Sequence, residues 1–403
     1  MNEKLPLLSP EYASSPQEFW RELRESEPVY YAEDLNFWVI TRHADIVEIA
    51  KDTTTFSSSG GPGGRMAEDV LSEDEEGIGF LPMIQHDPPE HTRVRSLFAK
   101  AFTPKRIADM EGQINDLARD LTEELYKKHE AGQPLDLVND FASPLPVFVI
   151  ARMMGIPLTD RSKLRVWSDS MAVGMGEGYS VGQQISAMSS LSRAMEEIVA
   201  DVRKCPEKDT LIGAMVDAAE EGERLRDDEI VGLSKLLWLA GNETTTNLIS
   251  NGSVFLLNNP GILEELRNDK ELIPLFVEEM LRYEGPVMGL FRNATRDTEF
   301  RGKQIREGDS IWLLFSAGNL DPEVFENPDT FDLHRDNHNH LAMGKGVHFC
   351  IGSSLAKLEA KVAFEWLVDI LPRVRLDFHA GKRIPVPVLS GWVSLPMTLL
   401  NGD

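Results

Sequence analysis

The chain has 403 residues, 42% hydrophobic and 27% charged, an ordinary globular composition whose length allows two or three domain-sized cores. A formal net charge of −25 and a pI near 4.8 argue against general nucleic-acid binding and against docking on anionic membranes. Its two cysteines, Cys205 and Cys350, give neither a disulfide framework nor a zinc spacing, and no apolar run is of membrane length, so a reducing, cytoplasmic setting is expected.

From the start of the chain, the pattern predicts an amphipathic helix over 16–25. PVYYAEDLNFWVITR then alternates and is rich in β-branched and aromatic residues, a hairpin around Asp34, Leu35 and Asn36. HADIVEIAKD returns to helix. Residues 56–82, dominated by glycine, serine and acids, read as a long loop. The segment 86–107 is punctuated by Pro88 and Pro89 and turns helical near Glu90. Between His91 and Arg106 it carries Arg93, Arg95, Lys100, Lys105 and Arg106 and no acid, a local reversal in an acidic chain. Residues 108 to about 215 are mostly helical, with stops at Gly132 and at Gly155 and Pro157. A methionine-rich stretch broken by glycine, 163–191, suits two helices with a mobile link over a pocket, or equally a methionine-rich core.

The longest helix is predicted to run from an N-cap at Asp227 to about Asn258, on the order of 45 Å. Its middle, LLWLAGNETTTNLIS, is apolar on most faces yet contains Ala240, Gly241, Asn242, Glu243, Thr244 and Thr245. A glycine inside a helix costs ~1 kcal/mol against alanine, and a buried acid needs a partner or a task. Downstream, Glu279 and Arg282 form an i,i+3 pair, too common to carry weight alone. Past Gly285 and Pro286 the chain turns extended. The stretch HLAMGKGVHFCIGSSLAKLEA, His340 to Ala360, sets Cys350 among Gly344, Gly346 and Gly352 ahead of an apolar helix over 353–371. Backbone N–H groups and the helix dipole there stabilise a thiolate. A thiolate is an iron ligand whose electron donation favours O–O cleavage when the iron is in haem. The tail, IPVPVLSGWVSLPMTLL, reads as a last hairpin turning at Ser390, Gly391 and Trp392.

In this order the four motifs resemble the cytochrome P-450 family, over about residues 10–400. The family's haem loop, F-x-x-G-x-x-x-C-x-G, is matched by Gly346, Cys350 and Gly352, with Met343 in place of the phenylalanine. The resemblance implies a mainly α fold with a smaller β region built from N- and C-terminal strands. Its α-rich part would span about 86–370 of a single catalytic domain over 1–403. Haem b would lie between the long helix and the Cys350 loop, with Cys350 on the iron and His91, Arg95, Arg292 and His348 on the propionates. Thr244 would hydrogen-bond the dioxygen being activated, its hydroxyl also opening the helix backbone, and Glu243 would relay protons. Glu279, Arg282 and Arg335 would form a structural triad. Phe80, Leu81, Met171, Met175, Leu236, Leu239, Ala240, Val287, Met288, Leu290 and Trp392 would line a pocket for a hydrophobic small molecule. The activity implied is monooxygenation. Electrons would come from a separate ferredoxin, served by a reductase, that docks near the basic 91–106 helix and the Cys350 loop. No membrane anchor is expected. Two other haem-thiolate readings, a peroxide-dependent enzyme and a non-catalytic sensor, have no need of Glu243 and Thr244.

Overall fold

The computed structural model describes residues 16–59, 83–159, 161–171, 181–204, 209–220, 222–336, 339–384 and 388–400. Helix α1 (Pro16–Ser26) leads into the expected hairpin of β1 (Val29–Ala32) and β2 (Phe37–Ile40), followed by α2 (His43–Lys51) and the short strand β3 (Phe56–Ser57). Then come α3 (Glu90–Ala101), α4 (Pro104–Ala108), α5 (Glu111–Glu130), β4 (Leu135–Asp136), a π turn over Val138–Ala142, and α6 (Pro144–Met154). Two helices cover the methionine-rich stretch, α7 (Arg161–Met171) and α8 (Val181–Lys204), and α9 (Leu211–Asp217) and the small hairpin β5 (Ala219–Glu220) and β6 (Glu223–Arg224) precede the longest helix, α10 (Asp227–Asn258). Beyond it lie α11 (Pro260–Asn268), α12 (Ile273–Glu284), strands β7 (Leu290–Ala294), β8 (Thr298–Phe300), β9 (Lys303–Ile305) and β10 (Ser310–Leu313), and α13 (Phe315–Asn319). The C-terminal part holds α14 (Ser353–Ile370), β11 (Val374–Leu376), β12 (Lys382–Arg383), β13 (Trp392–Ser394) and β14 (Pro396–Leu399).

Several boundaries differ from the sequence expectation. The main sheet has the order β1-β2-β10-β7-β3, so two of its five strands come from inside the stretch expected to be α-rich. The reason is burial: all four residues of β10 are buried, which suits a strand flanked on both edges, and it pairs parallel with β2 and antiparallel with β7. The tail is not one hairpin. Trp392 opens β13, which pairs with β12, while β14 leaves to join β11 and β4. The basic run is two helices, because Thr103 caps a new one with Pro104 in its first turn. At the start of α10 the cap position is Arg226, and Asp227 is the first helical residue.

Helix α10 organises the helical core. It is buried from Glu229 to Trp238 and again from Thr245 to Ser253. It crosses α14 closely: a Cβ on Gly252 would sit 2.4 Å from Phe364 Cζ. At the same crossing the fully buried Glu359 of α14 shares a hydrogen bond with the Thr245 side chain. Burial pushes the Glu359 carboxyl up to about 8, with Thr245 pulling it partly back.

The second fixed point is ionic. Arg282 grips Glu279 with two bonds of 2.7 and 2.8 Å, both side chains having no exposed surface. The remaining guanidinium donors go to the carbonyls of Asn319, Pro328 and Thr330. Arg335 Nε adds a bond to Glu279 Oε1 at 3.2 Å, and Asp332 N another at 2.9 Å. The triad therefore ties α12 to the irregular chain before the cysteine loop.

Two outcomes follow from this packing. Glu279→Ala leaves Arg282 charged and unpaired in the core, and is expected to lower unfolding free energy by ~3–5 kcal/mol, read from the denaturant midpoint. For Glu359 the folded carboxyl holds its proton above the ordinary value of 4.5. Its stabilising share is complete below that value and is lost as pH rises toward about 8. Glu359→Gln is expected to flatten the fall in thermal midpoint across that window; an unchanged slope would mean the carboxyl is not protonated in the folded protein.

Candidate active site

Cys350 lies just ahead of α14, whose cap is Gly352. Gly344 and Gly346 take φ values of 72° and 71°, and a Cβ on Gly346 would come within 2.7 Å of Ala50 O, so the loop packs on the end of α2 as only glycine permits. Cys350 N donates to Met343 O at 2.7 Å, and the Met343 side chain is buried in the main core. The thiol is solvent-accessible although enclosed by protein, so it lines an internal recess rather than the outer surface. Burial pushes the thiol up; the Gly352 N–H and the charges of Arg95 and Lys357 pull it down less strongly. The helix terminus alone therefore does not yield the thiolate expected from sequence, because desolvation outweighs it, and a bound metal ion is what removes such a proton outright.

Basic groups converge on the same recess. His91 of α3 is 1% exposed, and neither ring nitrogen has a hydrogen-bond partner. Its ring lies 4.3 Å from that of His348, whose Nε2 is 3.0 Å from Ser58 Oγ. Arg292 of β7 is 5% exposed; one terminal nitrogen donates to Phe291 O at 2.7 Å, and Nε has no partner. Arg95 donates to Phe349 O at 2.6 Å. Burial first, then the neighbouring Arg95, holds His91 down at about 4. Burial, Arg292, His91 and Arg95 hold His348 at about 3. The carboxylate that acts on His91 and Arg292 is Asp87, already engaged by Ser57 and, at 2.9 Å, by Ser58 N. Orphaned buried donors that repel one another ask for an anion. Apolar surface stands beside them: Leu290, Val347 and Phe349 are 38%, 37% and 41% exposed, the last two just ahead of Cys350 in the chain. Haem, a broad apolar ring with two carboxylates, fits both demands.

One turn of α10 breaks its burial. Ala240 is exposed, and Leu239, Gly241, Glu243 and Thr244 are half-exposed in an otherwise enclosed helix, so this turn borders a cavity. Thr244 Oγ1 donates to Ala240 O at 2.7 Å, the local bond by which a hydroxyl can bend a helix, and α10 runs on to Asn258. Burial raises the Glu243 carboxyl to about 7, and its Oε1 is buried without a partner.

Among the expected pocket residues, Leu239, Ala240, Val287 and Leu290 present surface. Leu236, Met288 and Trp392 show almost none, at 7–8%. Met288 packs with Trp20, Val39 and Trp312 under the sheet, and the Trp392 ring lies 4.0 Å from the Arg383 guanidinium. Phe80, Leu81, Met175 and the incidental thiol Cys205 lie outside the described residues, as does the side chain of Met171. The basic face is also thinner than the sequence suggests. Arg93 is bound to Glu90 and to the buried Glu229, and Lys100 reaches Ala219 O at 2.9 Å. Glu359 went unnoticed in sequence although Leu355, Glu359 and Val362 share one apolar helix face. Among the described residues no helix is long and apolar enough to cross a membrane.

Known proteins place this geometry. The family model for cytochrome P450 matches residues 180–383. The chain is 36% identical to the putative cytochrome P450 YjiB of Bacillus subtilis, over 90% of this chain and 89% of that one. It is 32% identical to the cytochrome P450 monooxygenase PikC of Streptomyces venezuelae, over 99% and 94%. A crystal structure of CYP109E1 from Bacillus megaterium in complex with corticosterone matches with a TM-score of 0.85 at 32% identity, over 96% and 99% of the two chains. The chain belongs to the cytochrome P450 family, the haem-thiolate monooxygenases.

Proposed function

We propose that Cys350 would hold the iron of haem b and that the turn Ala240–Thr244 would serve oxygen activation beside it, within a single catalytic domain. The observation that carries this is the recess at Cys350, where His91 and Arg292 bury donors with no anion to receive them. In this reading His91, Arg95, Arg292 and His348 bind the haem carboxylates, guanidinium groups matching them two-pronged. Bound haem supplies dioxygen binding and O–O cleavage.

The side chains handle protons and position. Thr244 commits its hydroxyl proton to Ala240 O, so its lone pairs face the cavity and accept a hydrogen bond from a protonated oxygen held there. Glu243, raised to about 7, both takes and gives protons near neutrality, which suits a relay from solvent. A separate ferredoxin would deliver electrons in the cytoplasm. With Arg93 and Lys100 engaged internally, exposed Lys105 is left to meet its acids. The cavity residues Leu239, Ala240, Val287 and Leu290, with Phe80, Leu81, Met171 and Met175 as further contacts, carry no charge. They suit a neutral hydrophobic substrate, and the corticosterone bound by CYP109E1 supports one of steroid size.

A reduced, CO-bound spectrum tests the ligand first. A Soret band at the long-wavelength position of thiolate ligation is expected, and Cys350→His should move it to the imidazole position; a wild-type band already there would overturn the assignment. Thr244→Ala is expected to keep consuming NADH while releasing more peroxide and less product. Coupling in the wild type should fall as pH rises through about 7, because the proton-donating form of Glu243 is then depleted. Glu243→Gln should lose that pH dependence and slow turnover by ~10²-fold. Peroxide yield unchanged in Thr244→Ala would remove it from the relay.

A further inference from the structure

Ala240, Thr244, Asn247 and Asn251 follow one another at spacings of four, three and four, so they share one stripe of α10. The first two border the cavity. The last two meet the turn that links β12 to β13. Asn251 Nδ2 donates to Ser390 O at 3.0 Å. From the other side Ser390 N donates to Pro286 O at 2.9 Å, and Met288 N to Val388 O at 3.0 Å, with Val287 and Leu389 paired across this short antiparallel ladder. The Ser390 residue is thus held by both its N–H and its carbonyl. At Gly391 the turn lies against Asn247: an added Cβ would sit 2.1 Å from Asn247 Oδ1 and 2.2 Å from its Cγ. Asn247 and Asn251 are each 1% exposed.

Alternation along the ladder sorts its side chains. Met288 and Val388 go to the cluster around Trp312. Val287 and Leu389, the directly opposed pair, take the other face and stay half-buried.

We propose that Asn251 is a positioning residue for substrate, registering the Val388–Gly391 turn on α10 beyond Thr244, with Gly391 resting against Asn247, so that Leu389 and Val287 form a fixed apolar wall of the cavity. The wall sets how far a hydrophobic substrate extends along the stripe, and hence which of its carbons lies nearest Thr244. This rests on the reading that the cavity beside Thr244 holds the substrate. A polar clamp at Asn251 carries the task because an amide reaching a backbone carbonyl fixes both distance and direction, whereas apolar packing there would let the turn slide. Gly391 is required by the same contact, since any side chain would lift the turn from the helix.

The test uses azoles on the holoenzyme, because their nitrogen binds the iron and their bulk then measures the space above it. Imidazole and clotrimazole would be titrated by the Soret shift. Asn251→Asp keeps the shape but puts a carboxylate against Ser390 O, and Gly391→Ala wedges the turn at Asn247. Both are expected to change the clotrimazole-to-imidazole ratio of Kd by ~10-fold, with imidazole affinity and the CO band as in the wild type. Asn247→Ala removes the atoms that the methyl group added by Gly391→Ala would strike, so combining the two substitutions should restore much of the ratio. A general loss of stability would not be rescued in this way. Ratios within twofold of the wild type in folded, haem-loaded Asn251→Asp and Gly391→Ala would overturn the positioning role alone. No azole-induced shift in the wild type would overturn the cavity reading and this inference with it.

Discussion

The separation between α10 and α14 is the constraint on which the rest depends. Phe364 lies against the bare backbone of Gly252, and Glu359 meets Thr245. Those two contacts set where the long helix passes over the helix that Cys350 precedes. Glu359 lies nine residues beyond Cys350, on the order of 13 Å along a helix. Thr244 is the neighbour of Thr245. The crossing therefore determines the gap between the ligand loop and the polar turn, and a group bound to one is presented to the other. A Gly252 side chain would widen that gap by forcing Phe364 aside.

Electrostatics in the recess run against the protein. Burial raises the Cys350 thiol, lowers His91, His348 and Arg292, and raises Glu243 and Glu359. Each shift is a cost of keeping a charge away from water. At the recess, an iron ion and two carboxylates would oppose those costs together: the metal would displace the thiol proton to solvent, and the carboxylates would answer the orphaned donors. The same desolvation leaves Glu243 neutral part of the time near neutral pH, where a relay group is useful. Burial is thus both the penalty and the means of tuning.

Other ionic contacts are structural. Arg282 and Arg335 donate to a run of backbone carbonyls that no regular element covers, while Glu279 accepts from both arginines and from Asp332 N. The buried Glu229 draws in Arg93 and Arg226 and so ties α3 to the start of α10. A cation that looks free for a partner in sequence is, in the fold, part of the frame.

The sequence by itself determined the mainly α fold with its smaller β region, the long buried helix with a polar turn, the glycine loop around Cys350 and the order of the motifs. These are local or periodic signals, carried by residues close together in the chain. Only the tertiary structure decided that β7 and β10 enter the main sheet, that Trp392 opens a strand, and that Leu236, Met288 and Trp392 are buried. Strand pairing and side-chain facing depend on partners more than a hundred residues apart, as with Val287 and Leu389 or Asn251 and Ser390. The desolvation that holds the Cys350 thiol up likewise comes from the enclosing fold. No window of sequence contains the atoms that exclude the water.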